Sequence, residues 1–440
     1  VYRRFGLVLA TAATAAAVGA AALPAAAGAA TKHRTVSVAG APKVALGPAG
    51  NAFYDPPSPL PKGKHGDLIW ARPIKAPTGA KAWKVLYLST VRSGAKVAVS
   101  GFVVAPDSPA PKAGRPVLAW AHGTEGTARN CAPSLVPDPA RELVDFFTYS
   151  SPYQQDAGVP ALTSMIQAGY VVVATDYQGM GTPGAAQYTV LDSQARNLLD
   201  SVIAAQQLKP TAAGNRVVTL GWSQGGGAAL WAGQTPGYAP KLKQLGTAVL
   251  APASDTGPQF AGQVAAVPQT ATSPAHAAAI RLNVYRGFVA AYPELDVSQV
   301  VTPAGMSAYQ GAGVECVNHL AYVINNNVAD LESLFVPAVP APPAWQKRFD
   351  ENTAGLATPT APVLVMQGTA DTVINPNGTA QYVQRACTFA QPVQYTTYPG
   401  ATHQTIPTVA SGEYLTWIAA RFAGQAAPSN CGAAGAGAAG

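Results

Sequence analysis

Charge is scarce in this chain: only 11% of its 440 residues are Asp, Glu, Lys or Arg, against about a quarter in an ordinary soluble domain. The net charge of +7 is therefore spread thinly, with no basic stripe of the kind that follows a nucleic-acid backbone. No nucleic-acid partner is expected. Cysteine is rarer still, at four residues: Cys131, Cys316, Cys387 and Cys431. None stands in C-x-x-C spacing, so no thiolate metal centre is expected, and no cofactor of any kind. Beyond the first thirty residues no apolar run is long enough to span a bilayer. Glycine and proline are abundant (43 and 39), but they lie between apolar runs rather than in one tract, which argues against disorder throughout. With 48% hydrophobic residues, the chain has enough apolar material for a large core.

The N-terminal segment differs from the rest. Arg3 and Arg4 precede an alanine-rich apolar stretch over residues 5–22, and Ala-x-Ala options follow at 25–30. Residues 1–30 read as a signal peptide, hence a secreted protein. In an exported chain an even number of cysteines favours two disulfides, and three pairings are open on count alone. Residues 31–50 read as a linker.

A repeating rhythm follows. Strands are expected at 83–90, 96–105, 117–121, 171–175, 217–221, 248–250, 363–367 and 393–398, with helices before 171, over 191–208, from about Gln224 and over 413–422. Short apolar strands alternating with helices imply an α/β fold, its mostly parallel sheet covered on both faces. Function in such sheets gathers at the carboxyl ends of the strands. Between 250 and 363 the rhythm breaks, and 277–291, 316–323 and 328–335 look helical. A helical cap over 252–348 is expected, inserted between core segments 51–251 and 349–424, with a low-complexity tail at 425–440.

The stretch Gly221-Trp222-Ser223-Gln224-Gly225 sits where a strand passes into a helix. A serine there needs small neighbours, because the turn that exposes its hydroxyl is sharp and strained. A serine hydroxyl also needs a base to take its proton and an acid to orient that base, in the chain order Ser, Asp or Glu, His. Three histidines follow Ser223. His276 and His319 fall in the cap and read as surface or packing residues. His403 follows the last strand and is the expected base. Asp371, just past strand 363–367, is the expected acid, with Asp255 and Asp350 as competitors lacking that setting. The developing oxyanion needs backbone N–H donors. Gln224, next after the serine, supplies one by position. Thr124, in His122-Gly123-Thr124 after strand 117–121, is expected to supply the other. His122 is then structural, and Asp176 and Tyr177 brace the same loop.

These residues resemble the secretory lipase family: Ala121-His122-Gly123-Thr124, Cys131-Ala132-Pro133-Ser134, Asp176-Tyr177-Gln178-Gly179-Met180-Gly181-Thr182-Pro183-Gly184, the Gly-Trp-Ser-Gln-Gly turn, and the Asp371 and His403 motifs. The resemblance runs in order over about residues 50–425. It implies an α/β-hydrolase fold with a helical cap inserted after the strand that follows the nucleophile helix. It also implies the pairings Cys131–Cys316 and Cys387–Cys431. The fungal members carry an acidic residue at the oxyanion position where this chain has His-Gly-Thr, so a side-chain donor there does not carry over.

The expected function is a secreted serine carboxylic ester hydrolase, a triacylglycerol lipase or esterase working through an acyl-enzyme on Ser223. A polyesterase or cutinase-like enzyme and a short-chain carboxylesterase are the alternatives. Acyl transfer, peptide hydrolysis and a non-catalytic envelope role stand behind them. The partner is an acyl ester or lipid, met in transient contact with a lipid interface by a monomer.

Overall fold

The structure is a computed structural model that describes residues 44–144, 156–255, 274–337 and 341–434. The segment expected as a signal peptide, and residues 31–43 of the expected linker, lie outside them. Among the described residues nine strands form one sheet. β1 (Leu68–Ile74), β2 (Ala80–Thr90) and β3 (Lys96–Pro106) pair antiparallel, and β3 joins β5 (Val171–Thr175), again antiparallel. From β5 onward the pairing is parallel, through β4 (Arg115–Ala121), β6 (Ala213–Trp222), β7 (Lys243–Leu250), β8 (Val363–Gly368) and β9 (Val393–Tyr398). The spatial order is β1-β2-β3-β5-β4-β6-β7-β8-β9.

The central strands are buried along their length because both faces are covered. Side chains alternate between the faces. Val117, Val173, Val217 and Val365 share one apolar cluster with helices α2 (Leu191–Gln207), α3 (Gln224–Ala232) and α8 (Pro376–Ala386). Leu118, Val172, Leu220 and Leu364 share the other with α1 (Leu162–Gln167) and α9 (Ser411–Phe422). This second cluster runs on into the helices inserted between β7 and β8, which are α4 (Pro274–Ala291), α5 (Met306–Gly311), α6 (Val317–Asn327) and α7 (Pro343–Glu351). Trp345, fully buried, anchors α7 there.

Three local features depart from the expectations. The helix expected at 328–335 is only a 3-10 turn, Glu332–Leu334. Val328 is already extended, and the Asp330 carboxylate accepts from the Glu332 amide at 3.1 Å, a local bond that competes with helix. Strand β1 carries Pro73, which hid it in the sequence; it lies at the end of the strand order, where proline is tolerated. Helix α8 also went unforeseen, although Asn375 caps it and Pro376 opens it, a standard start. In the tail, the Asn430 side chain pairs with the backbone of Tyr395 at 2.8 Å in both directions. The bonds Cys131–Cys316 and Cys387–Cys431 are both formed, the pairing implied by the family resemblance.

Candidate active site

Ser223 occupies the turn between β6 and α3, at φ 56° and ψ −120°. A non-glycine residue holds such a conformation only where its surroundings over-determine it. Here its carbonyl accepts from Ala253 N–H at 2.8 Å and its N–H donates to Leu250 at 2.9 Å. Gly221 and Gly225 make the turn possible. A Cβ on Gly221 would lie 2.1 Å from the Gly225 carbonyl oxygen, and one on Gly225 would lie 1.9 Å from that of Ala121.

The Ser223 hydroxyl oxygen stands 2.8 Å from Nε2 of His403, and His403 Nδ1 stands 2.8 Å from Asp371 Oδ2. A carboxylate only accepts, so Nδ1 carries the proton and Nε2 presents its lone pair to the serine hydroxyl. All three side chains are buried, Ser223 being 3% exposed. Asp371 follows β8 and His403 follows β9, as expected from the sequence. Asp371 is itself fixed: its Oδ1 accepts the amides of Val373 and Ile374, each at 2.8 Å, and its Oδ2 accepts from Gln367 Nε2 at 3.1 Å. Turn-capping and pairing with His403 are thus done by one carboxylate with its two oxygens divided between them.

Thr124 lies in the loop after β4, and this loop packs directly on the serine turn. A side chain on Gly123 would strike the Trp222 ring. The backbone amides of Thr124 and Gln224 have no acceptor among the described residues. Two such amides at the carboxyl end of a sheet suit a developing anion. The Thr124 hydroxyl meets the Tyr188 hydroxyl at 2.5 Å.

The neighbouring residues hold this loop. Tyr177 OH donates to the His122 carbonyl at 3.1 Å, and the two rings lie 4.5 Å apart, tilted by 43°. His122 Nδ1 donates to the Gly123 carbonyl at 2.7 Å. Burial pushes the His122 imidazole down to about 4, so it is neutral. Asp176 accepts from Ser100 Oγ at 2.6 Å and from the Ser134 amide at 3.0 Å, tying the Cys-Ala-Pro-Ser segment to β3.

Some neighbours escaped sequence reasoning. Glu125 is buried beside Thr124 and accepts from the Asp156 amide at 2.9 Å; burial, then the nearby Asp156 carboxylate, push its pKa well up. Only its place next to the loop could have flagged it. His276 is fully buried in the first turn of α4. Burial, then the nearness of His403, lower its pKa to about 3. His319 is partly exposed and pairs with Glu315 at 2.6 Å. Asp255 and Asp350 have no part in the Ser223–His403–Asp371 line.

Comparison with known proteins bears on the family and the fold. The family model described as secretory lipase matches residues 151–430. A Mycobacterium tuberculosis protein named probable inactive lipase is 22% identical, over 86% of this chain and 83% of that protein. Lipase 6 of Candida albicans is 23% identical, over 87% and 83%. Among solved structures, lipase A of Candida antarctica superposes with a TM-score of 0.71 at 18% identity, covering 86% of this chain and 87% of that one. The rice cell wall degrading esterase LipA of Xanthomonas oryzae gives 0.60 at 16%, covering 82% and 97%. Both likenesses establish the fold. With its family model matched over more than half its length, this α/β-hydrolase chain belongs to the secretory lipase family.

Proposed function

We propose that the protein is an exported carboxylic ester hydrolase acting on acylglycerols or related acyl esters, with Ser223 as nucleophile. The observation that carries this reading is the buried hydrogen-bonded line from Ser223 through His403 to Asp371. Ser223 Oγ attacks the ester carbonyl while His403 Nε2 takes its proton. Asp371 holds the imidazole in the required tautomer and stabilises its charged form. The amides of Thr124 and Gln224 receive the oxyanion. His403 returns the proton to the departing alcohol, and water releases the acyl group by the same route. No cofactor enters the scheme.

The segment 252–348 is the cap in this reading, residues 51–251 and 349–424 are the hydrolase core, 31–50 the linker and 425–440 the tail. The working form is a monomer meeting its substrate at a lipid surface. The similarity to a relative named probable inactive lipase makes a non-catalytic role the rival. Against it stands the hydrogen-bonded line itself, which a scaffold without chemistry has no need to keep.

The test is hydrolysis of p-nitrophenyl esters from C2 to C16 and of emulsified triglyceride, with fluorophosphonate labelling, in wild type and Ser223→Ala. Activity in the wild type and a loss of about a thousandfold or more in the variant are expected, with the label lost too. Retention within tenfold in Ser223→Ala overturns the assignment. Long-chain activity that rises at an oil interface identifies a lipase, and activity confined to short chains identifies an esterase.

A further inference from the structure

We propose that Gln367 is a positioning residue for the catalytic line: its side-chain amide holds the Asp371 oxygen that faces His403, and Thr379 sets which end of that amide does so. The inference rests on the function proposed above, since it needs Asp371 to orient His403 for proton transfer at Ser223.

Gln367 is the last residue but one of β8 and is fully buried. Its Nε2 lies 3.1 Å from Asp371 Oδ2, 3.2 Å from the Ile374 carbonyl and 3.2 Å from the Gly368 carbonyl. A carboxylate and two carbonyls only accept, so the NH2 end of the amide must face them. The other end, Oε1, lies 2.8 Å from the Thr379 hydroxyl, which can only donate to it. Thr379 is itself fully buried, near the start of α8. Turned the other way, the amide would set its oxygen against three acceptors and its NH2 against a hydroxyl hydrogen. All of this lies away from water, where unmet polar groups cost most. Each donor in the set is therefore fixed by its partner.

The two oxygens of Asp371 are held differently. Oδ1 accepts the Val373 and Ile374 amides, each at 2.8 Å, whereas Oδ2 faces His403 Nδ1 at 2.8 Å. Gln367 is the other donor to Oδ2 among the described residues. It also donates to the Ile374 carbonyl, in the turn whose amides hold Oδ1. One side chain thus ties the oxygen that faces His403 to the turn that fixes the opposite oxygen. With two donors on each oxygen all four lone-pair sites are occupied, and the carboxylate resists rotation about its Cβ–Cγ bond. A swing there would carry Oδ2 away from the imidazole, and catalytic groups displaced by about 1 Å lose rate steeply. Gln367 touches no reacting atom; it acts through Asp371.

The experiment measures the second-order rate of fluorophosphonate labelling, and kcat and KM on p-nitrophenyl butyrate, from pH 5 to 9. The proteins are wild type, Gln367→Met, Gln367→Glu, Thr379→Val, Thr379→Ser and Ser223→Ala. Labelling reads the activation of the serine whatever the natural ester is. Gln367→Met keeps the length of the side chain and removes its donor. Labelling rate and kcat are expected to fall about tenfold, the scale of a modest misplacement, with KM within about twofold.

Gln367→Glu adds a readout that packing alone would not move. Protonated, the new carboxyl still donates to Asp371 Oδ2. Ionised, it repels that oxygen, and burial beside a like charge moves this ionisation above the usual value of about 4.3. The rates of Gln367→Glu relative to wild type should therefore fall about fivefold or more as the pH rises from 5 to 9. Thr379→Val should lose about threefold, the effect of one neutral hydrogen bond acting at a remove, and Thr379→Ser should recover most of it.

Wild-type rates in a folded Gln367→Met, or a Gln367→Glu ratio that stays level across the pH range, overturn the proposal. A Thr379→Ser as slow as Thr379→Val overturns the part given to that hydroxyl. If Gln367→Met does not fold, Thr379→Val decides, and wild-type rates there overturn the proposal. A wild type that takes no label, or a Ser223→Ala that takes it as fast, sinks the function reading instead. A labelled wild type beside an equally reactive Gln367→Met sinks this inference alone.

Discussion

The Trp222 indole N–H donates to the His403 backbone carbonyl at 3.0 Å, and the two rings lie 5.0 Å apart. The residue before Ser223 thus secures the backbone of the residue that faces its hydroxyl. These two positions come from different strand ends and are held together by one indole.

Trp222→Phe keeps a ring against His403 and removes the hydrogen bond. One neutral bond contributes about 1 kcal/mol, and a displaced base costs rate out of proportion to stability. A fall in kcat of about tenfold, with the melting temperature down only a few degrees, is expected. Trp222→Ala should destabilise by about 3–5 kcal/mol, since it empties a fully buried site. Steady-state kinetics and calorimetry check both. Unchanged kcat in a folded Phe variant would refute the positioning role.

The two disulfides should separate in their effects. Cys131–Cys316 spans 185 residues and Cys387–Cys431 spans 44, so chain entropy assigns them about 5 and about 4 kcal/mol. The stabilities are close, but the locations are not. Cys316 opens α6, and Val317 N–H donates to the Glu125 carbonyl at 2.8 Å, directly beside Thr124. Cys131→Ser with Cys316→Ser should lower kcat as well as melting temperature, whereas Cys387→Ser with Cys431→Ser should lower melting temperature with kcat nearly intact. Equal losses of kcat in the two pairs would show that Cys131–Cys316 has no special hold on the site.

His122 predicts the acid limb of stability. Its folded pKa is lowered to about 4 by burial, against about 6.5 in an unfolded chain. Below about 6.5 the unfolded state takes up the proton and the folded state does not. The contribution is therefore complete above pH 6.5, is lost as the pH falls towards 4, and levels off below. The size is roughly 3 kcal/mol. Denaturant unfolding of wild type and His122→Gln from pH 7.5 to 4 measures it as a difference, which cancels the other titrating groups. A difference that stays constant across that range would mean that the buried imidazole titrates normally.

The sequence by itself determined the parts that local rules govern. A serine on a strained turn needs glycines beside it, and Gly221 and Gly225 stand there. Parallel sheets expose loops at their strand ends, and the order Ser223, Asp371, His403 follows from reading those ends in turn. The alternation of short apolar strands with helices gave the layered fold before any coordinate. Features with weak local signals were lost: the edge strand with Pro73, and the 3-10 turn where Asp330 competes with helix.

Only the tertiary structure decided which distant residues meet. Trp222 reaches His403 across 181 positions, Tyr188 reaches Thr124 across 64, and Cys131 meets Cys316 across 185. From the cysteine count alone three pairings were open. His276, read as a packing or surface histidine, turns out to lie against the field of His403. The physical reason is the same in each case. Local periodicity and turn chemistry set how a segment folds and which face it buries. They do not set the stacking of one loop or helix on another, which depends on the volume and shape of every side chain between them.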